Sequence, residues 1–288
     1  MPIIDLPTFQ NVHYITLGEE NSSAPLLVCV HGITASIALL NPFLDVLVQQ
    51  GLRVIACDLP GHGLSGFTRL PMNRVNSLSF FDELFSNVIP NNEPFHLLGH
   101  SMGGALTTLF INANAKTKKF SVLSHILLAP HVLLDSNIPF TAKLMKIPYL
   151  NSILIRLSGR NDLINHLAST NKDPVVAEMF TKYLHELFNR RPEYITGTFL
   201  NYYCNFIKYS YIEDYAALDS DNLPRLLIWG DEDQVITSNQ INCLKGMLTR
   251  CKFEVLEGRG HELEAECPVD LVSICLNFVN SVSECNTD

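Results

Sequence analysis

Six stretches of the chain are almost wholly apolar over four to eight residues: Leu26–His31, Leu52–Asp58, Phe95–Gly99, Val122–Ala129, Arg225–Gly230 and Phe253–Leu256. Runs this short, with no polar alternation, predict strands covered on both faces, as in a parallel sheet. Asn11–Leu17 is expected as an antiparallel edge strand. Between the runs, helical patterns occupy Ser36–Gln50, Ser77–Val88, Met102–Ala113, Asn239–Leu248 and Val269–Val282. Strands alternating with helices in this way predict an α/β fold with a doubly wound, mostly parallel sheet.

The rhythm breaks between residues 134 and 207. No buried strand is expected there, only amphipathic stretches such as Phe140–Leu157 and Pro174–Asn189. They lead into the aromatic-dense segment Tyr194–Tyr211, which holds Phe199, Tyr202, Tyr203, Phe206 and Tyr209. The expected organisation is a core of residues 1–133 and 208–288 with a helical cap, 134–207, inserted into it. Helices that simply cover a core face are the alternative. Ile138–Leu157 carries more apolar surface than one buried face requires, which suits an acyl tunnel, contact with a lipid surface, or packing within the cap.

Composition narrows the class. The chain has 288 residues, 47% hydrophobic and 17% charged, as expected of an ordered globular protein. Its net charge of -9, with no basic block denser than Lys116–Lys119, argues against a nucleic-acid partner and against long-range attraction to anionic lipid. No run reaches the roughly 18 apolar residues of a membrane span, so stable membrane insertion is not expected, while transient contact with a lipid surface stays open. The first residues, Met1–Pro7, lack a leader pattern, and a cytoplasmic location is the expectation. The eight cysteines show no CxxC spacing, and they read as free thiols rather than disulfides. No metal site or cofactor is expected.

The chemistry lies at strand ends. Gly99-His100-Ser101-Met102-Gly103 joins a predicted strand to a predicted helix, where a serine on a tight turn has its hydroxyl lifted clear of the sheet. Such a hydroxyl needs a base and an orienting carboxylate. Carboxylates follow the Arg225–Gly230 strand at Asp231, Glu232 and Asp233, and His261 follows the Phe253–Leu256 strand. Asp233 is favoured as the acid, Asp231 is the first competitor, and Asp135 is a more distant option. The amides of Ile33, in the loop after Leu26–His31, and of Met102 are expected to hold a developing oxyanion. His31 reads as a hydrogen-bonded structural imidazole, and Asp58 in Asp58-Leu-Pro-Gly-His-Gly-Leu-Ser65 as a fastener of its loop.

Taken together, His31-Gly32, Asp58 through Ser65, Gly99 through Gly104, Gly230 through Asp233, Gly260-His261 and the tail Glu266-Cys-Pro268 resemble the α/β-hydrolase superfamily with an inserted cap. The resemblance spans residues from about 10 to 285. It implies Ser101 as nucleophile, Asp233 as triad acid, His261 as base, and Ile33 and Met102 as oxyanion donors. A serine at the nucleophile position argues against the haloalkane dehalogenases and epoxide hydrolases of this superfamily. His-Ser-Met-Gly-Gly is most similar to carboxylesterases and monoacylglycerol-type lipases, which implies a small ester substrate with an apolar acyl or alcohol group. A C–C bond hydrolase or a perhydrolase on the same triad is the second reading. A non-catalytic small-molecule receptor is the third.

Overall fold

The apolar runs become one eight-stranded sheet. The computed structural model describes residues 2–133, 164–165, 168–171 and 173–285. The strands are β1 (Ile3–Ile4), β2 (Val12–Leu17), β3 (Leu26–Val30), β4 (Arg53–Cys57), β5 (Phe95–His100), β6 (Val122–Leu128), β7 (Arg225–Gly230) and β8 (Lys252–Leu256), in the spatial order β1-β2-β4-β3-β5-β6-β7-β8. From β4 to β8 every pairing is parallel, and β2 runs antiparallel to β4. Asn11–Leu17 is therefore antiparallel as expected, but it is not the edge. The two-residue β1 pairs outside it, Ile3 opposite His13, and is too short for any periodicity to reveal.

Continuous hydrophobicity follows from covering both faces. Along β3, Leu26, Val28 and Val30 enter one core while Leu27 and Cys29 enter the other. In β7 the split repeats, Leu227 and Trp229 against Leu226 and Ile228. The second core is closed by α1 (Ile37–Gln49) and by the C-terminal helix α8 (Pro268–Cys285). From α8 it takes Leu271, Val272, Cys275, Phe278, Val279 and Val282, the stripe of one helical face. The first core is closed by α2 (Arg74–Val88) and α3 (Met102–Thr117). Helix α2 starts ahead of the expected Ser77, because the Asn73 side chain caps it by accepting from the Asn76 N–H.

Part of the interval 134–207 is described. Helix α4 (Pro174–Arg190) starts at Asp173, whose carboxylate accepts from the Val175 and Val176 N–H groups. It buries Val176, Phe180, Leu184, Leu187 and Phe188, mostly against Ala35, Leu39 and Tyr194. Residues 195–207 continue as helical turns, partly of π type, and place Tyr202 and Phe206 in the first core. Helices α5 (Ile212–Leu218), α6 (Ser238–Met247) and α7 (Leu263–Glu266) complete the order. The expected helices Phe140–Leu157 and Ile138–Leu157, and Asp135, lie outside the described residues. Among the described residues the cysteines are free thiols: Cys29, Cys57, Cys204, Cys243, Cys251, Cys267 and Cys275.

Candidate active site

All the singled-out loops leave the sheet at the carboxyl ends of its parallel strands, where open α/β sheets bind ligands. Ser101 stands between β5 and α3 with φ 51° and ψ -117°, a backbone that costs a non-glycine residue roughly 1–3 kcal/mol. Its neighbours hold it there. The Ser101 N–H donates to Leu128 O (2.9 Å), and its carbonyl accepts from Gly104 N–H (2.9 Å) and His131 N–H (2.8 Å). The glycines at plus and minus two are obligatory for space. A Cβ on Gly99 would collide with Gly103 O and Thr107 Oγ1, and one on Gly103 with Val30 O and His31 O.

Asp233 and His261 arrive on the loops that follow β7 and β8. His261 Nε2 lies 3.0 Å from Ser101 Oγ, and its Nδ1 lies 2.7 Å from Asp233 Oδ2. The other carboxylate oxygen of Asp233 accepts from Val235 N–H (2.7 Å) and Ile236 N–H (2.8 Å). With its side chain wholly buried, Asp233 has one orientation, and that orientation faces the imidazole. Because the carboxylate accepts at Nδ1, the neutral imidazole carries its proton there and leaves Nε2 free to accept from the serine hydroxyl. Asp231 is exposed and accepts instead from Gly258 N–H at 2.7 Å, and Glu232 is exposed. Of the three adjacent carboxylates, only Asp233 is brought to His261.

Gly32 approaches the serine from the β3 side; a Cβ on it would stand 3.1 Å from Ser101 Cβ. Thr34, two residues on, has φ 63°, so this loop too is bent tightly. Ile33 lines the cavity that also contains Ser101 and His261. Met102 is the first residue of α3, where backbone N–H groups have no partner within the helix. The cavity is about 320 Å³ and is lined in part by Thr170 and by Phe180 of α4, so the interval between β6 and β7 contributes to its wall. Gln234, Val235 and Glu262 complete the lining with Gly32, Thr34 and His100.

Two motif residues take the structural roles expected of them. His31 bonds the Gly32 carbonyl through Nδ1 (2.7 Å) and accepts the Leu59 N–H at Nε2 (3.0 Å). Asp58 accepts from Ile37 N–H (2.8 Å), Leu64 N–H (2.9 Å) and His13 Nδ1 (2.7 Å), tying α1 and the loop 58–65 to β2.

Sequence reasoning missed a buried histidine–glutamate pair beside the His261 imidazole. His100 Nδ1 lies 2.9 Å from a Glu264 carboxylate oxygen, with both side chains under 4% exposed. His100 Nε2 lies 3.1 Å from the His261 carbonyl, and the two rings are 4.8 Å apart. Burial alone would lower the His100 pKa, but the charge and contact of Glu264, aided by Glu262, raise it to about 9. Burial also raises the Glu262 carboxyl, against the pull of His100 and His261. Ligand atoms of His100, Glu262 and Glu264 lie within 4.8 Å of one another. Since His100 already faces Glu264 and a carbonyl, this set is an internal ion pair rather than an open cage for a cation. The only available signal was the spacing Glu262, Glu264, Glu266 after His261, which does not reveal which carboxylate turns inward. Glu266 has its own task, accepting the Gly260 N–H (2.7 Å) just before His261.

Residues 21–268 match the model of the family described as serine aminopeptidase, S33. Monoacylglycerol lipase ABHD6 of Mus musculus is 25% identical over 280 residues, covering 92% of this chain and 77% of the relative. The uncharacterized hydrolase YugF of Bacillus subtilis is 25% identical, covering 88% and 89%. Among solved structures, a putative lipase (lip1) from Acinetobacter baumannii superposes with a TM-score of 0.78 at 22% identity, over 98% of this chain and 91% of that one. The match over most of the chain, on a sheet of this order, means that the protein belongs to the serine aminopeptidase S33 family and is an α/β-hydrolase enzyme of esterase- or lipase-like character.

Proposed function

We propose that the protein hydrolyses carboxylic esters with an apolar acyl or alcohol group through an acyl-enzyme on Ser101. The single observation that carries this reading is the continuous hydrogen-bonded line from Asp233 through His261 to Ser101 Oγ, with donor–acceptor separations of 2.7 and 3.0 Å. In the proposed reaction His261 Nε2 takes the hydroxyl proton as Ser101 Oγ adds to the ester carbonyl. Asp233 steadies the imidazolium that forms. The Ile33 and Met102 N–H groups receive the negative charge on the former carbonyl oxygen. His261 then returns its proton to the departing alkoxide, and water, deprotonated by the same nitrogen, releases the acid.

The apolar preference is supported by Ile33, Phe180 and Val235 in the cavity wall. In the same reading, residues 134–207 form a cap over a core of 1–133 and 208–288. Relatives named for monoacylglycerol cleavage and covering most of the chain favour the ester reading over C–C or peroxide chemistry. No helix among the described residues is long and apolar enough to cross a membrane. A cytoplasmic location, with at most transient contact with lipid surfaces, belongs to the proposal. The test is a panel of p-nitrophenyl esters of rising acyl length, run beside amino-acid arylamides because of the family's aminopeptidase description. Ester turnover that disappears in a folded Ser101→Ala variant is expected; arylamide turnover without ester turnover would replace the reading.

A further inference from the structure

Both ring nitrogens of His100 face acceptors. One lies 2.9 Å from the Glu264 carboxylate and the other 3.1 Å from the His261 carbonyl oxygen. A neutral imidazole has one N–H and would leave a lone pair against one of these oxygens, in a place where His100 is 2% and Glu264 3% exposed. With Glu264 ionised, the doubly protonated ring is the form that turns an N–H toward both oxygens. Among the described residues no hydrogen bond reaches either carboxylate oxygen of Glu264, so an ionised Glu264 has its charge met by the 2.9 Å ion pair with the His100 ring.

We propose that His100, kept as an imidazolium by Glu264, is a positioning residue that holds the backbone of His261 and thereby sets the base against Ser101. This rests on the role of Ser101 and His261 argued above. The placement suits the task, since His100 immediately precedes Ser101 on β5 while its ring grips the carbonyl of the base 161 residues away. One side chain therefore couples the nucleophile turn to the histidine loop. Glu264 follows His261 by three residues, in α7, and closes a ring of contacts from Glu264 to His100 to His261.

The groups facing His100 are Glu264 of α7, Glu262 and His261 from the loop before it, and His31 just after β3. Burial opposes the charged ring, the two carboxyl groups and the His261 carbonyl favour it, and the ring in turn disfavours a charge on His31. The net effect holds the proton to about pH 9. When the ring loses a proton, the Glu264 charge favours keeping the remaining N–H at Nδ1, so Nε2 gives up the His261 carbonyl and turnover has an alkaline limb that originates in His100.

The decisive measurement does not use activity. In protein carrying ¹⁵N-labelled histidine, with the His100 signals assigned by their loss in His100→Asn, both ring nitrogens are expected to be protonated at pH 7. A single protonated nitrogen at pH 7 overturns the proposal whatever the enzyme turns over. On the kinetic side, Glu264→Gln is expected to lower kcat roughly tenfold or more with little change in KM. Its alkaline limb should shift below pH 9 or vanish, while Glu264→Asp, which keeps the charge, retains that limb. A folded Glu264→Gln variant with wild-type kcat and an unmoved limb overturns it. If Ser101→Ala abolishes ester turnover and Glu264→Gln leaves it untouched, the positioning role alone falls; if Ser101→Ala keeps its turnover, the triad falls instead.

Discussion

Asp233→Asn isolates electrostatics from geometry. Asp233 accepts three hydrogen bonds, from His261 Nδ1, Val235 N–H and Ile236 N–H. An asparagine keeps its oxygen on the two backbone donors, since that grip fixes the side chain, and so turns its NH₂ toward His261. The imidazole must then accept at Nδ1 and carry its proton on Nε2, the nitrogen 3.0 Å from Ser101 Oγ. A protonated Nε2 cannot take the serine proton. The expected loss in kcat is about 10⁴-fold, or roughly 5 kcal/mol of transition-state stabilisation, with KM little changed. Asp231→Asn is the matched control, because Asp231 bonds only the exposed Gly258 N–H, and its kcat is expected within about twofold of wild type. Initial rates on a p-nitrophenyl ester, beside circular dichroism and urea unfolding of each variant, supply the comparison. A folded Asp233→Asn variant within tenfold of wild type, or an equal loss in Asp231→Asn, refutes the assignment of the acid.

Gly103→Ala puts a methyl group into Val30 O and His31 O, so α3 must retreat from β3; a loss of about 2 kcal/mol in urea unfolding and a large fall in kcat are expected, and an unchanged midpoint would contradict the close approach. Asp58→Ala removes the acceptor for Ile37 N–H, Leu64 N–H and His13, and should cost about 3 kcal/mol or more by the same measurement. His96 and His125 are fully buried, and burial lowers their pKa values from the ordinary 6.5 to about 4 and about 3. The unfolded chain therefore binds protons that the folded one does not as pH falls from 6.5 toward 4, and stability present above 6.5 is lost across that window. The urea midpoint is expected to fall between pH 7 and pH 5, and a flat response would show that these rings protonate without unfolding.

What was legible in the sequence follows from which interactions are local. Strands β3, β4, β5, β6 and β7 were visible because burial on both faces makes each run continuously apolar. The nucleophile turn was visible because its glycines answer steric demands set within a few residues, Gly99 against Gly103 and Thr107. Asp233 and His261 were found because each directly follows a strand end. Asp233 was favoured over Asp231 from the sequence, but the physical reason, the Val235 and Ile236 amides turning one carboxylate inward, is visible only in the structure. Strand β1 escaped because two residues carry no period. The His100–Glu264 pair escaped for a different reason. Its partners are 164 residues apart, and a buried glutamate one residue past Leu263 looks, in sequence, like any solvated helix-start acid.

The central claim is that Ser101 carries an activated hydroxyl. Treating the protein with a fluorophosphonate and locating the adduct by peptide mass spectrometry tests it directly, because the reagent reacts only with a serine whose proton has an acceptor. Stoichiometric labelling of Ser101 is predicted, with the adduct lost or slowed at least a hundredfold in His261→Ala. An unlabelled Ser101 in protein that still cleaves esters would contradict it.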